Sequence, residues 1–267
     1  MKHFKLLFSC FLLLTLSHHR SLFAGEVSIA VAANFTSVSR EISKIFEQGT
    51  GHKVKISYGS TGKLYAQIAN GAPFDVFLSA DTKRPIKAID DGLAVANTRF
   101  VYAKGKLVLW SIKNNTFDEG ESWVKKAIFR RIAIGNPKTS PYGLAAQQLI
   151  KRMGNWKSVQ SKLVRGDSIA QTFQFVATGN TDAGFVAWSQ VKAWQAKGTM
   201  GSLWEIPEDY YPAINQSAVL LKKGKNNPVA LAYLEFLKSD KARNIIKTFG
   251  YGIGNSNNNE TKQSENN

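Results

Sequence analysis

The chain has almost no cysteine and little histidine. Of its 267 residues only Cys10 is cysteine, and the four histidines are His3, His18, His19 and His52. No cysteine follows residue 24, so the body of the chain has no disulfide, thiol nucleophile or thiolate metal site. His52 alone remains of the histidines there, which excludes a histidine-rich metal centre and leaves a Ser–His triad hanging on one residue in a polar segment. Acids are scarce, 19 against 35 Lys and Arg. The groups Asp90-Asp91, Asp118-Glu119-Glu121 and Glu208-Asp209 fall at expected element ends or in loops, where a solvated face is the simpler reading than acid–base catalysis. Most hydrolase chemistry is thereby removed.

What is present begins with a targeting segment. Lys2 and Lys5 precede an apolar run from Leu6 to Leu16, far shorter than the roughly 20 residues that span a bilayer. Leu22-Phe23-Ala24 offers a small residue before Gly25, so residues 1–24 are expected to be a cleaved secretory signal and the product to be periplasmic. Leu7-Phe8-Ser9-Cys10 loosely resembles a lipoprotein attachment site, but Cys10 lies early in the apolar run and Phe8 is bulky, so no lipid anchor is expected. Removing 24 of the 267 residues leaves 243, enough for two modest lobes with real cores. Loss of Lys2, Lys5 and Arg20 lowers the net charge from +16 to +13. Lys and Arg are spread without a run of five, so a scattered solvated surface is expected rather than a nucleic-acid site.

Short β-branched runs alternate with longer helical periods, which argues for an α/β fold with mainly parallel strands. Strands are expected over 27–33, 53–58, 74–79, 100–103, 106–111, 131–135, 161–165, 183–187 and 213–221, and helices over 35–47, 63–69, 81–91, 142–153, 169–178, 227–238 and 240–248. Residues 113–122 read as loop, and 255–267, rich in Asn, Ser, Glu and Lys, as a disordered tail. Two strand–helix series of similar size predict two lobes. Residues 25–103 and 213–254 form the first and 104–212 the second, with a ligand cleft between them. Trp110, Trp188 and Trp194 sit in apolar surroundings and are expected to be core.

Four polar loops each open an expected helix: Ala33-Asn34, Ser60-Thr61-Gly62, Pro141-Tyr142-Gly143 and Asp167-Ser168-Ile169. A helix start presents unpaired N–H groups and a partial positive charge, which together suit an anion. Each loop also has a plain structural reading. Ser60 and Thr61 suit an N-cap, since Gly59-Ser60-Thr61-Gly62-Lys63 lacks the spacing of a P-loop. Asn34 either caps with its oxygen or donates its amide and backbone N–H groups. Tyr142 is either a packed tyrosine or a donor, and Ser168 is expected to cap while the Ile169 N–H faces the cleft.

Several stretches around these loops carry a resemblance: YGSTGKLYAQI over 58–68, NGAPFDVFLSAD over 70–81, GNPKTSPYG over 135–143 and GFVAWS over 184–189. From Val27 to Gly254 the chain resembles the molybdate-binding proteins of bacterial ABC importers, which are type II periplasmic binding proteins. The resemblance implies a two-lobed fold, each lobe a mainly parallel sheet flanked by helices. It implies a tetrahedral anion held by uncharged donors, here Asn34, Ser60 or Thr61, Tyr142 and the Ile169 backbone N–H. Two positions depart from the common pattern: Asn34 stands where many members have serine, and Ala187 where many have a tyrosine donor. Asn34 and Tyr142 are expected to compensate.

These readings together imply a non-enzymatic, monomeric periplasmic receptor, without cofactor, that captures molybdate or tungstate and passes it to an inner-membrane permease. The alternatives are a receptor for another oxyanion such as sulfate or phosphate, or an exported α/β enzyme acting on a phosphorylated substrate. A nucleic-acid-binding role would rest on the charge alone.

Overall fold

The computed structural model describes residues 24–253 apart from Lys197 and Thr199. Cys10, the signal segment up to residue 23 and the tail 255–267 lie outside the described residues.

The chain begins with strand β1 (Glu26–Ala32), a 3-10 turn (Ala33–Phe35) and helix α1 (Thr36–Thr50). It continues through β2 (Lys53–Gly59), α2 (Thr61–Ala69), β3 (Val76–Leu78), α3 (Lys83–Asp90) and β4 (Phe100–Gly105). Lys106 carries it into a second sheet: β5 (Leu107–Ser111), α4 (Gly120–Lys126), β6 (Ile132–Gly135), α5 (Pro141–Arg152) and α6 (Trp156–Gln160). There follow β7 (Leu163–Gly166), α7 (Ile169–Ala177), β8 (Ala183–Ala187), α8 (Trp188–Gln195) and β9 (Ser202–Glu205). The chain then returns to the first sheet as β10 (Ile214–Leu220) and closes with α9 (Pro228–Lys238) and α10 (Asp240–Thr248).

The sheets have the orders β2-β1-β3-β10-β4 and β7-β6-β8-β5-β9. In each, one strand is reversed: β10 runs antiparallel to β3 and β4, and β5 to β8 and β9. The rest are parallel, so both sheets are mixed but mainly parallel, and the protein is a two-lobed α/β molecule. Strands buried on both faces should be apolar at odd and even positions alike. In β1, Val27, Ile29 and Val31 face α1, α9 and α10, while Ala30 faces the layer of α2 and α3. In β6, Ile132 and Ile134 pack under α4, α5 and α6, and Ala133 packs against Val176 and Val191. Trp110 is fully buried and stacks on Phe173 at 5.0 Å, in the same layer as Trp188 and Trp194.

Four elements were not visible in the sequence pattern, among them the five-residue helix α6. Helix α4 starts at Gly120, inside the stretch read as loop, and buries little beyond Val124. Helix α8 follows β8 with no breaker residue, and β9 is a four-residue edge strand beside β5. All are too short to show a period. The strand expected over 74–79 pairs only through Val76–Leu78. Asp81 lies just ahead of α3, where its Oδ1 accepts from the Arg84 N–H at 3.0 Å.

Parallel order fixes where the loops go. Ala32 is opposite Gly59 at the ends of β1 and β2, and Gly135 is opposite Gly166 at the ends of β6 and β7. The helix-opening loops therefore leave from one edge of each sheet. In the second lobe, α5 folds so tightly onto the end of β6 that a Cβ on Gly143 would lie 2.1 Å from the Gly135 carbonyl oxygen. Gly143→Ala should therefore destabilise the protein by roughly 1–3 kcal/mol, as overpacking does. A urea midpoint equal to that of the wild type would contradict this close approach.

Candidate anion-binding site

The two edges face each other, and the starts of the 3-10 turn, α2, α5 and α7 converge on one cavity. It is lined by Ala32, Ala33, Asn34, Gly59, Ser60, Thr61, Ala80, Ser140, Pro141, Tyr142 and Ile169. All five residues singled out from the sequence (Asn34, Ser60, Thr61, Tyr142 and Ile169) are in this lining, and all five are buried. The space inside leaves about 10 Å³ for the centre of a water-sized sphere, room for one small group and not for an organic molecule. It suits a small ion.

The lobes meet around it. The Gly62 N–H donates to the Thr139 carbonyl at 2.9 Å, and Arg84 Nη2 donates to the Lys138 carbonyl at 3.1 Å. Lys63 pairs with Asp167 at 2.8 Å, an exposed contact that adds little on its own. A Cβ on Gly62 would stand 2.9 Å from Thr139 Cα, so only glycine permits this approach.

The helix starts differ in how their first N–H groups are used. Ser140 caps α5 by accepting from Gly143 N at 3.3 Å, and Ser168 caps α7 by accepting from Gln171 N at 3.3 Å. Pro141 has no N–H to place. The first-turn N–H groups of Tyr142 and Ile169 have no intrahelical acceptor, nor has that of Thr61 in α2. Ser60 holds the N-cap position of α2 yet makes no capping bond. Its hydroxyl, in a residue 4% exposed, has no protein partner. The expectation that Ser60 and Thr61 merely cap is thus answered for Ser60: it does not.

The other two hydroxyls are set up as donors. Thr61 Oγ1 accepts from the Ala80 N–H at 3.0 Å, and the Tyr142 hydroxyl accepts from Gln216 Nε2 at 3.2 Å. A hydroxyl that already accepts keeps its proton to give. Burial pushes the Tyr142 phenol well above its ordinary range, so it stays protonated at any physiological pH.

Asn34 behaves differently. Its Nδ2 donates to Gln216 Oε1 and to the Tyr251 hydroxyl, both at 2.9 Å, so the side-chain amide is spent away from the cavity. What Asn34 offers the cavity is its backbone at a helix start. Gln216, Tyr251 and Ser189 were not singled out from the sequence. Tyr251 donates to the Asn34 carbonyl at 2.8 Å and is bonded to Ser189 Oγ at 2.8 Å, which ties the first lobe to the start of α8. A glutamine inside a buried strand, and a tyrosine between Gly250 and Gly252, were the available signals. No Lys, Arg, His, Asp or Glu is among the lining residues. His52 instead accepts from the Gly25 N–H at 3.2 Å. Ala187 is buried in the second-lobe core, outside the lining.

The arrangement is a neutral, donor-rich cavity of a size for one small anion. Residues 27–252 match the family described as bacterial extracellular solute-binding protein. The molybdate-binding protein ModA of Azotobacter vinelandii is 52% identical over 230 residues, covering 86% of this chain and 91% of that protein. ModA of Rhodobacter capsulatus is 47% identical, covering 85% of this chain and 88% of its own. A solved periplasmic molybdate-binding protein of Azotobacter vinelandii superposes with a TM-score of 0.82 at 39% identity, covering 86% of this chain and all of that one.

Two variants separate a binding role from a structural one. Ser60→Ala removes a hydroxyl that holds nothing in the protein, so thermal stability without anion should be unchanged or slightly raised. Its anion affinity should fall about 10- to 100-fold, the worth of one hydrogen bond to a charged group. Loss of stability with unaltered affinity would make Ser60 structural. Gly62→Ala should leave the lobes folded but weaken anion binding, because the lobes cannot approach; calorimetry on both forms reads this. Neutral phenols also predict that affinity is flat from about pH 6 to 9, below the ordinary tyrosine range. Stability itself should fall above about pH 10, where unfolded tyrosines ionise and the buried ones do not.

Proposed function

The chain belongs to the bacterial extracellular solute-binding protein family, and we propose that it is the molybdate receptor of an ABC importer. The observation that carries this reading is the buried, unpartnered Ser60 hydroxyl at a cavity lined by neutral donors and helix starts. The two ModA relatives and the matched fold support the choice of ion.

A dianion leaving water must be met by strong hydrogen bonds, and bonds to a charged acceptor are about twice as strong as neutral ones. The donors assigned are the hydroxyls of Ser60, Thr61 and Tyr142 and the backbone N–H groups of Asn34, Thr61, Tyr142 and Ile169. Molybdate and tungstate are nearly the same size, and both fit this set. Sulfate has shorter bonds, and donors held by two lobes in contact cannot shrink around it. Phosphate carries a proton near neutral pH, and no carboxylate lines the cavity to accept it. The receptor acts as a monomer in the periplasm after loss of its signal, needs no cofactor, performs no chemistry on its cargo, and delivers it to an inner-membrane permease.

Thermal unfolding of the purified chain with each anion tests this. A ligand at a thousand times its dissociation constant adds about 4 kcal/mol, so molybdate and tungstate should raise the midpoint by several degrees while sulfate and phosphate at equal concentration leave it near its starting value. A comparable shift with sulfate, or none with molybdate, would overturn the assignment.

A further inference from the structure

The Tyr142 hydroxyl is fixed from behind by a group outside the cavity lining. Gln216 is fully buried in β10, and its amide is held in one orientation. Its Oε1 accepts from Asn34 Nδ2 at 2.9 Å and from the Tyr102 hydroxyl at 3.1 Å, so the Nε2 end is turned toward Tyr142 at 3.2 Å. Reversing the amide would set Nε2 against Asn34 Nδ2, donor against donor. Tyr102 and Tyr142 are both kept protonated by burial, so neither becomes an anion that would upset this order.

We propose that Gln216 is a positioning residue: by donating to the Tyr142 hydroxyl across the interlobe boundary, it leaves that hydroxyl's proton free for the anion. This rests on the reading of the cavity as the molybdate site. Gln216 belongs to the first lobe and Tyr142 to the second, so their bond forms only when the lobes are together. Closure and donor orientation are thereby the same event. Asn34 contributes to the same chain, since its amide sets the amide of Gln216. This explains why its side chain faces Gln216 and Tyr251 rather than the cavity.

The test is a double-mutant cycle on molybdate affinity, with Gln216→Met, Tyr142→Phe and the pair, each checked for folding by thermal unfolding without anion. If Gln216 acts through Tyr142, each single change weakens binding about 10- to 100-fold, and the pair is within about threefold of the worse single. A pair as weak as the product of both effects would overturn the proposal. Gln216→Glu gives a second reading should Gln216→Met fail to fold. Its neutral acid can still donate to Tyr142, whereas its carboxylate accepts the tyrosine O–H hydrogen bond and so turns it away from the anion. Affinity should therefore fall as pH rises from about 5 to 9, unlike the flat wild type. The fall should be larger with Tyr142 present than with Tyr142→Phe, where only charge repulsion remains. Equal falls in the two backgrounds would overturn the proposal. A wild type that binds neither molybdate nor tungstate would instead defeat the cavity reading, and this inference with it.

Discussion

A helix that follows a parallel strand begins with N–H groups it cannot satisfy, and the rest of this molecule is arranged around that constraint. In both lobes the strand order places two such beginnings side by side, after β1 and β2 in one and after β6 and β7 in the other. A single lobe would expose them to water, where they need nothing. Two lobes in contact bury them, and a buried donor without an acceptor is unfavourable by about 1–3 kcal/mol. Serine caps relieve part of this at α5 and α7. At α2 the cap position is left unused, a deficit that the proposed anion would fill.

Selectivity by neutral donors has a further consequence for how the scaffold must be built. A lysine or arginine attracts any anion and follows it as it moves, because its head sits on a flexible stem. Hydroxyls and backbone N–H groups have short reach and hold their geometry only if the elements behind them are rigid. The fully buried strands, and the close approach of Gly143 to Gly135, supply that rigidity. The lysines and arginines lie outside the cavity lining, and a net positive charge raises the local concentration of anions without choosing among them.

Much of this was legible in the sequence, and the reason is local. Ser60, Thr61, Tyr142 and Ile169 are recognisable because each stands where a strand pattern gives way to a helical one, and that junction is a matter of a few neighbouring residues. The architecture of each sheet followed from the same alternation. What stayed hidden depended on distance along the chain. The side chain of Asn34 is directed by Gln216 and Tyr251, separated from it by 182 and 217 residues. No local pattern tells whether an asparagine at a helix start faces inward or back into the fold. Helix α8 and strand β9 were missed for the opposite reason: each is local but too short for its period to stand out.

The polar chain Tyr102–Gln216–Asn34–Tyr251–Ser189 has a logic beyond holding side chains in place. Buried polar groups in a low-dielectric interior strengthen one another when all are satisfied and are costly when one is not. Here the chain crosses between lobes at Gln216 to Tyr142 and at Tyr251 to Ser189. Separation of the lobes breaks both links but lets water in to replace them, so the open form is tolerated. A half-closed form would break the links while still excluding water, and it would be the worst of the three. The network therefore favours two discrete states over a continuum, as a receptor needs when its open and closed forms must be told apart. On the proposed reading the anion would decide between them, because the Ser60 hydroxyl finds no protein partner when the lobes are together.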